Sequence, residues 1–420
     1  MTQERVGATY LVETPYSLEY AAEKIAGEQS TGTFTAVPGE TDALKELHGV
    51  KVVSVKELEQ VQSPSLPGVK LPSNHNGVFY RGEVKVSFPL HNFGPSIPNL
   101  LTAVAGNLYE LQELSGLRLM DVEIPESFKD VYQGPKFGIK GTRQLTGVEG
   151  RPIIGTIIKP SVGLSMEELQ KTVMNLALAG LDFIKDDELN ANPPYAPLEK
   201  KVKAVMESVE RAADKTGKKL MYAFNITGDI NELRRNHDLV VKAGGNCVMA
   251  SINSIGITGV AYLNTFSEVP IHGHRNQWGM LTRCPSLGME FTAYQKLCRL
   301  AGVDHIHVNG LNGKFYESNE SVVKAIHACT ELLLDGYETM PVVSNGQWAG
   351  TACATYESTK SVDMMHLAGG GIMAHPDGPA AGFESMKLAW EAAVNGISFE
   401  QYAKEHHQLR KAAELFSSKK

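Results

Sequence analysis

The spacing of hydrophobic and polar positions changes near residue 150 and divides the chain into two parts. Before this point, strand-like runs are interleaved with helical periodicity. The strand-like runs are Ala8–Val12, Val50–Val55, Gly82–Phe88 and Leu117–Ile124, and the helical ones are Leu18–Gly27 and Asn99–Leu114. This interleaving predicts an independent α+β domain over residues 1–132. Residues 133–150 carry five glycines and a proline without strong periodicity, and we expect them to form a linker.

From Arg151 to the end of the chain at residue 420, short apolar runs alternate with amphipathic helical stretches. The apolar runs are Ile153–Ile158, Leu181–Ile184, Leu220–Phe224, Cys247–Ile252, Val269–Gly273, His305–Val308, Pro341–Ser344 and Met364–Leu367. The helical stretches are Met166–Ala179, Leu198–Thr216, Ile230–Ala243, Phe291–Ala301, Glu320–Leu334 and Ala380–Asn395. Eight β-then-α units over about 250 residues predict a catalytic (β/α)8 barrel across residues 151–420. The alternative, a doubly wound open sheet, would place a glycine-rich dinucleotide loop after the first strand, and Lys159–Gly163 (Lys-Pro-Ser-Val-Gly) is not one.

Composition and charge exclude several classes of protein. The chain is 42% hydrophobic and 21% charged, which is ordinary for a globular protein. A net charge of −7 disfavours binding to nucleic acid or to an anionic membrane surface. No apolar run reaches the roughly 18 residues of a membrane helix, and Met1–Tyr10 lacks the pattern of a signal peptide, so we expect a cytoplasmic protein. The five cysteines have no Cys-x-x-Cys spacing, which argues against a disulfide framework or a thiolate zinc site.

Charged residues follow the second barrel strand directly, as Lys185-Asp186-Asp187-Glu188. Strand alternation puts Lys185 and Asp187 on one side, and a turn can add Glu188. Two carboxylates suit Mg²⁺, and the carboxyl ends of barrel strands are where active sites form. A solvated charge run at the start of a loop is the alternative. The lysine fits a metal site as a salt-bridge partner, or as a carbamate formed with CO₂, which would supply a third anionic ligand.

Later strand ends carry further candidates. His272 with His274, and His305 with His307, are pairs with strand spacing that allow proton transfer or substrate binding, although at least one of the four is expected to be structural. Arg275 could hold a phosphate with two hydrogen bonds.

Two glycine-containing segments also follow late strands. Gly369-Gly370-Gly371 is either a flexible turn or a phosphate-binding loop. The segment 309–314 is either a glycine-hinged lid with Lys314 at its tip or an exposed loop with a solvated lysine.

Three stretches together resemble the RuBisCO large-chain superfamily. They are Gly155–Ser165 (Gly-Thr-Ile-Ile-Lys-Pro-Ser-Val-Gly-Leu-Ser), Gly180–Glu188 (Gly-Leu-Asp-Phe-Ile-Lys-Asp-Asp-Glu) and Asp304–His307 with Lys314 seven residues later. The resemblance runs over nearly the whole chain. It implies an N-terminal α+β domain of the ferredoxin-like kind before a (β/α)8 TIM barrel.

The resemblance also implies roles for individual residues. Lys185 is similar to the lysine that CO₂ converts to a carbamate (N6-carboxylysine), and Asp187 and Glu188 to the other Mg²⁺ ligands. Lys159 matches a lysine that handles protons near the reacting carbon, and His274 a histidine close to the metal-bound substrate. The residues similar to phosphate-binding groups are Arg275, His307 and Ser344 in one set and Lys314, Gly346, Gly369 and Gly370 in the other. Glu28, Thr33 and Asn107 match residues that reach the neighbouring subunit's site, which implies a homodimer or an assembly of dimers with the site at the subunit interface.

Departures from the carboxylase pattern narrow the expected function. Ser161 stands where carboxylases have a second lysine, Phe34 replaces a tryptophan, and Asn345 replaces a glycine. These changes point to a RuBisCO-like protein of form IV, in which CO₂ is a cofactor on Lys185 rather than a substrate.

The expected reaction begins with a phosphorylated keto sugar or keto sugar acid whose enolate is stabilised by Mg²⁺. The Lys185 carbamate or the Lys159 amine moves the proton, and the outcome is decarboxylation, enolisation or isomerisation. Retention of Lys159, Lys314 and both phosphate sets favours a 3-oxo-isoapionate 4-phosphate decarboxylase. The alternatives are a methylthio-sugar phosphate enolase or isomerase of methionine salvage, a ribulose 1,5-bisphosphate carboxylase, and a non-catalytic sugar-phosphate binding protein.

Overall fold

The computed structural model of the protein describes residues 4–32 and 39–417. Its strands are β1 (Arg5–Thr14), β2 (Lys51–Val61), β3 (Phe79–Pro89), β4 (Gly116–Glu123), β5 (Ile153–Ile157), β6 (Phe183–Lys185), β7 (Met221–Asn225), β8 (Cys247–Ser251), β9 (Ile271–His274), β10 (Leu287–Met289), β11 (His305–His307), β12 (Met340–Val343) and β13 (Met365–Leu367). Its helices are α1 (Leu18–Glu28), α2 (Asp42–His48), α3 (Ile97–Ala105), α4 (Gly138–Thr146), α5 (Met166–Leu178), α6 (Leu198–Thr216), α7 (Ile230–Lys242), α8 (Ile252–Ile255), α9 (Ile257–Phe266), α10 (Trp278–Thr282), α11 (Phe291–Leu300), α12 (Asn319–Thr330), α13 (Ala352–Thr359), α14 (Gly369–Met373), α15 (Pro379–Val394), α16 (Phe399–Glu405) and α17 (His407–Phe416). Within these described ranges, no helix is both long enough and apolar enough to cross a membrane.

One compact unit comprises the described part of Met1–Gln133 together with Gln277–Leu300. Its five-stranded sheet has the order β10-β4-β1-β3-β2, in which β1 is antiparallel to both β3 and β4. The predicted α+β fold of this part is confirmed. The segment 277–300 was expected within the barrel, but β10 pairs with β4 instead. Lys296 of α11 also donates to the Asp121 carboxylate at 2.7 Å, so this segment is held by contacts that are distant in sequence.

The other unit contains a closed barrel of eight parallel strands, in the order β5-β6-β7-β8-β9-β11-β12-β13. All eight predicted strand runs form barrel strands, with ends that differ by at most two residues, so the predicted (β/α)8 fold is confirmed. Apolar side chains such as Ile153, Phe183, Met221 and Val342 form the core of the barrel. Small local differences in strand ends are usual, because the terminal residues of an element are its weakest part.

Two local predictions differ from the structure in more than the position of an element's end. The helix expected over Asn99–Leu114 ends at Ala105, because the backbone leaves the helical region at Gly106, where a Cβ atom would lie 2.5 Å from the Thr102 carbonyl oxygen. The expected linker 133–150 contains α4, which belongs to the barrel unit. Asp304 fixes the start of α4 by accepting hydrogen bonds from the backbone N–H groups of Phe137 (2.7 Å) and Gly138 (2.9 Å).

Candidate active site

The predicted polar residues lie where barrel strands end. Lys185, His274 and His307 are the last residues of β6, β9 and β11, Ser344 directly follows β12, and Lys159 and Gly369 come two residues after β5 and β13. Parallel strands place these ends on one face of a barrel, the face on which (β/α)8 enzymes build their active sites. The structure therefore collects residues that are more than 200 positions apart in sequence on one face.

Lys185 is almost fully buried, with 1% of its side chain exposed. Its ammonium donates to the Asp186 carbonyl oxygen at 2.9 Å and to Glu188 Oε2 at 3.4 Å. Burial lowers the pKa of Lys185, and the nearby carboxylates of Glu188 and Asp187 offset this only in part. The neutral amine is therefore easier to reach here than on a surface lysine.

Lys159 forms an ion pair with Asp187. Its Nζ donates to Asp187 Oδ2 and to Ser161 Oγ, both at 2.7 Å. Ser161, the departure from the carboxylase pattern, thus contacts the lysine directly. The Lys159 side chain is 44% exposed whereas that of Asp187 is 4% exposed. A ligand can therefore reach the Lys159 ammonium, while the Asp187 carboxylate is buried.

The Asp186 carboxylate is not part of the candidate site; it anchors the segment 185–188 to α6 and β7. The carboxylate accepts from Lys201 Nζ (2.7 Å), the Tyr222 hydroxyl (2.7 Å) and the Asn225 backbone N–H (2.9 Å). The Asn225 side chain in turn donates to the carbonyl oxygens of Asp187 and Glu188, each at 3.2 Å. Sequence reasoning missed these supports because no local pattern links Asp186 to residues 15 to 39 positions later.

Glu188 and His274 form a coupled pair, with 3.5 Å between Glu188 Oε2 and His274 Nε2. Burial acts to raise the pKa of Glu188, but protonated His274 and Lys185 outweigh it and lower the pKa to about 2. Burial and then repulsion from Lys185 lower the pKa of His274 to about 4. At neutral pH the pair is therefore a carboxylate beside a neutral imidazole. The Asn276 N–H donates to His274 Nδ1 at 3.2 Å, which leaves the imidazole hydrogen on the nitrogen facing Glu188.

Arg275 has a partner that the sequence did not reveal. Its guanidinium makes two hydrogen bonds to the Glu317 carboxylate, at 3.3 and 2.7 Å, and the two side chains are 5% and 7% exposed. Asn309 also donates to Glu317 Oε2. Any anion held by Arg275 therefore shares the guanidinium with an existing carboxylate.

The loop that carries Lys314 is docked on the loop after β12. Lys314 N donates to Asn345 Oδ1 at 3.2 Å, and a Cβ atom on Gly346 would lie 3.5 Å from the same nitrogen. Gln347 Nε2 donates to the carbonyl oxygens of Leu311 (3.1 Å) and Asn345 (3.0 Å). The structure thus brings Lys314 next to Gly346, and Gln347 is a support that sequence reasoning missed. Gly369 and Gly370 form the first turn of α14 rather than an irregular loop.

The remaining predicted residues belong to the other unit or are outside the described residues. Glu28 ends α1 and Asn107 begins a short 3-10 turn, and both are exposed. The two segments lie side by side, because a Cβ atom on Gly106 would be 2.7 Å from Gln29 Nε2. Thr33 and Phe34 lie outside the described residues.

Comparison with known proteins places the chain and its fold in one family. Residues 138–416 match the family model "Ribulose bisphosphate carboxylase large chain, catalytic domain", and residues 6–128 match that of the N-terminal domain. The chain is 50% identical over 411 residues to a 3-oxo-isoapionate-4-phosphate transcarboxylase/hydrolase from Xanthobacter autotrophicus, covering 97% of this chain and 98% of that one. It is 45% identical over 415 residues to a 3-oxo-isoapionate-4-phosphate decarboxylase from Rhizobium etli, covering 98% and 99%.

Solved structures agree with the sequence matches. A rubisco-like protein from Burkholderia fungorum superposes with a TM-score of 0.91 at 42% identity, covering 99% of this chain and 100% of that one. A dimeric archaeal Rubisco from Hyperthermus butylicus superposes with a TM-score of 0.84 at 30% identity, covering 98% and 96%. The chain therefore belongs to the ribulose bisphosphate carboxylase large-chain family, among its rubisco-like members.

Proposed function

We propose that this protein is a Mg²⁺-dependent enzyme that forms an enolate from a phosphorylated keto sugar acid, with 3-oxo-isoapionate 4-phosphate as the substrate to test first. The observation that carries the proposal is the buried Lys185 beside Asp187 and Glu188 at the end of β6, with a lowered pKa. The names of two relatives, at 50% and 45% identity over nearly the full length, support the choice of substrate.

The donor set fits a hard divalent cation only if Lys185 is modified. Among the described residues, no group of three or more His, Cys, Asp or Glu side chains is arranged to hold a metal ion. Asp187 and Glu188 supply two carboxylates, and Mg²⁺ favours oxygen ligands. The Lys185 ammonium would repel a metal ion. As a carbamate, Lys185 would instead supply a third oxygen ligand. Mg²⁺ bound there would draw electron density from the substrate carbonyl and so stabilise an enolate.

The surroundings of Lys185 favour carbamate formation. Only the neutral amine reacts with CO₂: its nitrogen forms a bond to the carbon, and the nitrogen loses one proton. Burial lowers the pKa of Lys185 and thereby increases the neutral fraction. The hydrogen bonds of Asp186 hold the backbone of residues 185–188 while carbamate formation changes the charge of Lys185.

Other residues of the chain then bind the substrate and move protons. We assign Lys159 to exchange a proton with the substrate at the carbon next to the carbonyl. Its partial exposure and its ion pair with Asp187 support this role. Neutral His274 carries its hydrogen on Nε2, beside Glu188, and we assign it as a hydrogen-bond donor to the substrate. We assign one phosphate or carboxylate position to Arg275, His307 and Ser344. We assign the other to Lys314, Gly346, Gly369 and Gly370.

We further propose a homodimer in which Glu28, Thr33 and Asn107 complete the partner's site. The family resemblance supports this assignment, as does the exposure of Glu28 and Asn107 in the present chain.

The test is turnover of 3-oxo-isoapionate 4-phosphate labelled with ¹³C at the carboxylate carbon, with Mg²⁺ and bicarbonate, followed by NMR. Release of labelled CO₂ identifies a decarboxylase, and label retained in a new carboxylate identifies a transcarboxylase/hydrolase. Both activities should disappear with a chelator and in Lys185→Ala. The proposal fails if neither product forms and no Mg²⁺-dependent exchange of C–H for deuterium occurs with any phosphorylated ketose or keto acid. Ligand binding without turnover would favour the sugar-phosphate binder.

A further inference from the structure

A chain of hydrogen bonds crosses the interior of the barrel unit from the candidate site to α4. Its five members are each less than one-tenth exposed: Ser344, His307, His272, His305 and Thr142. The contacts are Ser344 Oγ to His307 Nδ1 (3.0 Å), His307 Nε2 to His272 Nε2 (2.9 Å), His272 Nδ1 to His305 Nδ1 (3.4 Å) and His305 Nε2 to Thr142 Oγ1 (2.8 Å). His305 is the first residue of β11 and His307 the last, so the chain runs from the amino-terminal face of the barrel to the carboxyl-terminal face.

The three imidazoles in this chain of hydrogen bonds, those of His272, His305 and His307, are neutral. Burial lowers the pKa of His305 to about 3, and burial together with neighbouring positive charges holds the pKa of His272 and His307 well below the usual value. A neutral imidazole has one N–H donor and one bare acceptor nitrogen. Each ring must therefore donate on one side and accept on the other, and the direction of one bond fixes the direction of the next.

The direction is set at the Thr142 end. The Thr142 hydroxyl donates to the Gly138 carbonyl oxygen, so its oxygen accepts from His305 Nε2–H. His305 Nδ1 is then bare and accepts from His272 Nδ1–H, which leaves His272 Nε2 to accept from His307 Nε2–H. His307 Nδ1 is bare in its turn, and it accepts from the Ser344 hydroxyl.

We propose that Thr142 is a positioning residue for the active site, acting through three histidines to fix the tautomer of His307 and the direction of the Ser344 hydroxyl hydrogen. The inference rests on the proposed function only in assuming that Ser344 and His307 contact the substrate. In the fixed direction, the Ser344 hydroxyl hydrogen points to His307 Nδ1, and Ser344 offers a ligand only its oxygen lone pairs. Ser344 then accepts from a substrate hydroxyl or a protonated phosphate oxygen, while the Arg275 guanidinium donates to the anion. The opposite direction would turn the Ser344 hydrogen towards the ligand and would require Thr142 to donate to His305 rather than to Gly138.

The fixed direction matters because a donor and an acceptor at one position select different ligand groups. A buried polar group that meets a ligand group of the wrong kind costs the desolvation of both. Thr142 would thus influence substrate binding without touching the substrate.

The test compares two substitutions at Thr142. Thr142→Ser keeps the hydroxyl, and Thr142→Val keeps the shape but removes it. Two-bond ¹H–¹⁵N correlation spectra of ligand-free, ¹⁵N-histidine-labelled protein report which ring nitrogen carries the hydrogen. In the wild type and in Thr142→Ser we expect the hydrogen on Nε2 of His305 and His307 and on Nδ1 of His272. In Thr142→Val the terminal acceptor is lost, so we expect mixed or reversed tautomers at His307.

The spectra decide the proposal independently of any activity. A wild-type spectrum with the opposite tautomers, or with a protonated ring, overturns it, and this holds even if Thr142→Val does not fold. An unchanged His307 tautomer in folded Thr142→Val also overturns it, because the direction would then be set elsewhere. If 3-oxo-isoapionate 4-phosphate is turned over, kcat/KM should fall roughly tenfold in Thr142→Val and stay within about twofold in Thr142→Ser. Absence of turnover would count against the proposed function alone.

Discussion

The buried pair of Lys201 and Asp186 offers the sharpest test of how the segment 185–188 of the candidate active site is supported. Lys201 lies on α6 with no exposed side-chain surface, and its Nζ is 2.7 Å from Asp186 Oδ2. It also donates to the carbonyl oxygens of Asn190 (2.7 Å) and Ala191 (3.0 Å). Lys201→Met keeps most of the volume and removes the charge and all three hydrogen bonds.

The expected loss is large because the partner charge stays behind. Asp186 is 2% exposed, and its remaining donors, the Tyr222 hydroxyl and the Asn225 N–H, carry no net charge. Removing one member of a buried ion pair typically costs about 3–5 kcal/mol. At about 2 °C per kcal/mol for a unit of this size, the thermal midpoint should fall by about 6–10 °C.

The measurement is thermal unfolding followed by circular dichroism. Lys200→Met is the matched control, since Lys200 is the exposed neighbour on the same helix, and its midpoint should move by about 1 °C or less. The double variant Asp186→Asn/Lys201→Met should recover much of the loss, because no uncompensated charge remains. Equal midpoints for Lys201→Met and Lys200→Met would refute the reasoning, and so would a double variant no more stable than Lys201→Met.

Two further predictions concern the loops and acid stability. Gln347→Leu removes the side-chain donor to the carbonyl oxygens of Leu311 and Asn345. Backbone hydrogen exchange in residues 309–316 should therefore become faster, while the barrel strands stay protected. Unchanged exchange in residues 309–316 would contradict the supporting role of Gln347. Buried His305 and His366 each have a folded-state pKa of about 3, so the unfolded state takes up protons first. The free energy of unfolding should therefore be constant above about pH 6.5 and decrease as the pH falls towards 3. Thermal melts across this range measure it, and a midpoint independent of pH between 6.5 and 4 would contradict it.

The barrel could be predicted because each of its strands is buried on both faces. Runs such as Cys247–Ser251, with every residue buried, leave a clear local signal. The helix expected over Asn99–Leu114 failed for the opposite reason: apolar spacing continued past Gly106, where the backbone turns away. Assignment of 277–300 also failed, since the pairing of β10 with β4 joins residues about 170 positions apart.

The barrel face that carries the candidate residues could be predicted from the sequence, but the pairs that these residues form could not. Lys185, Glu188 and Arg275 end or follow β6 and β9, as the sequence predicted, and their roles in a site stay a prediction. The sequence did not indicate that Glu317 engages Arg275 or that Thr142 ends the histidine chain. Such partners are chosen by geometry across the barrel, and any of several carboxylates or hydroxyls would have matched the composition equally well.

If Lys185 is carbamylated as we propose, its pairing with the carboxylates gives a physical reason for a divalent cation beside it. Each carboxylate of the segment 186–188 has its own lysine, in the pairs Lys159–Asp187, Lys185–Glu188 and Lys201–Asp186. With all six groups ionised the cluster is neutral, and carbamate formation on Lys185 changes one charge from +1 to −1 and leaves a net −2. A divalent cation restores neutrality, and uncompensated charge in a buried site is costly.

Since coupling between two bound species is reciprocal, CO₂ should strengthen Mg²⁺ binding by the factor by which Mg²⁺ strengthens carbamate formation. Calorimetric titration with Mg²⁺ at low and high bicarbonate measures that factor. Equal Mg²⁺ affinities at both bicarbonate concentrations, or the same increase in affinity in Lys185→Ala, would show that Lys185 does not couple CO₂ to Mg²⁺ binding.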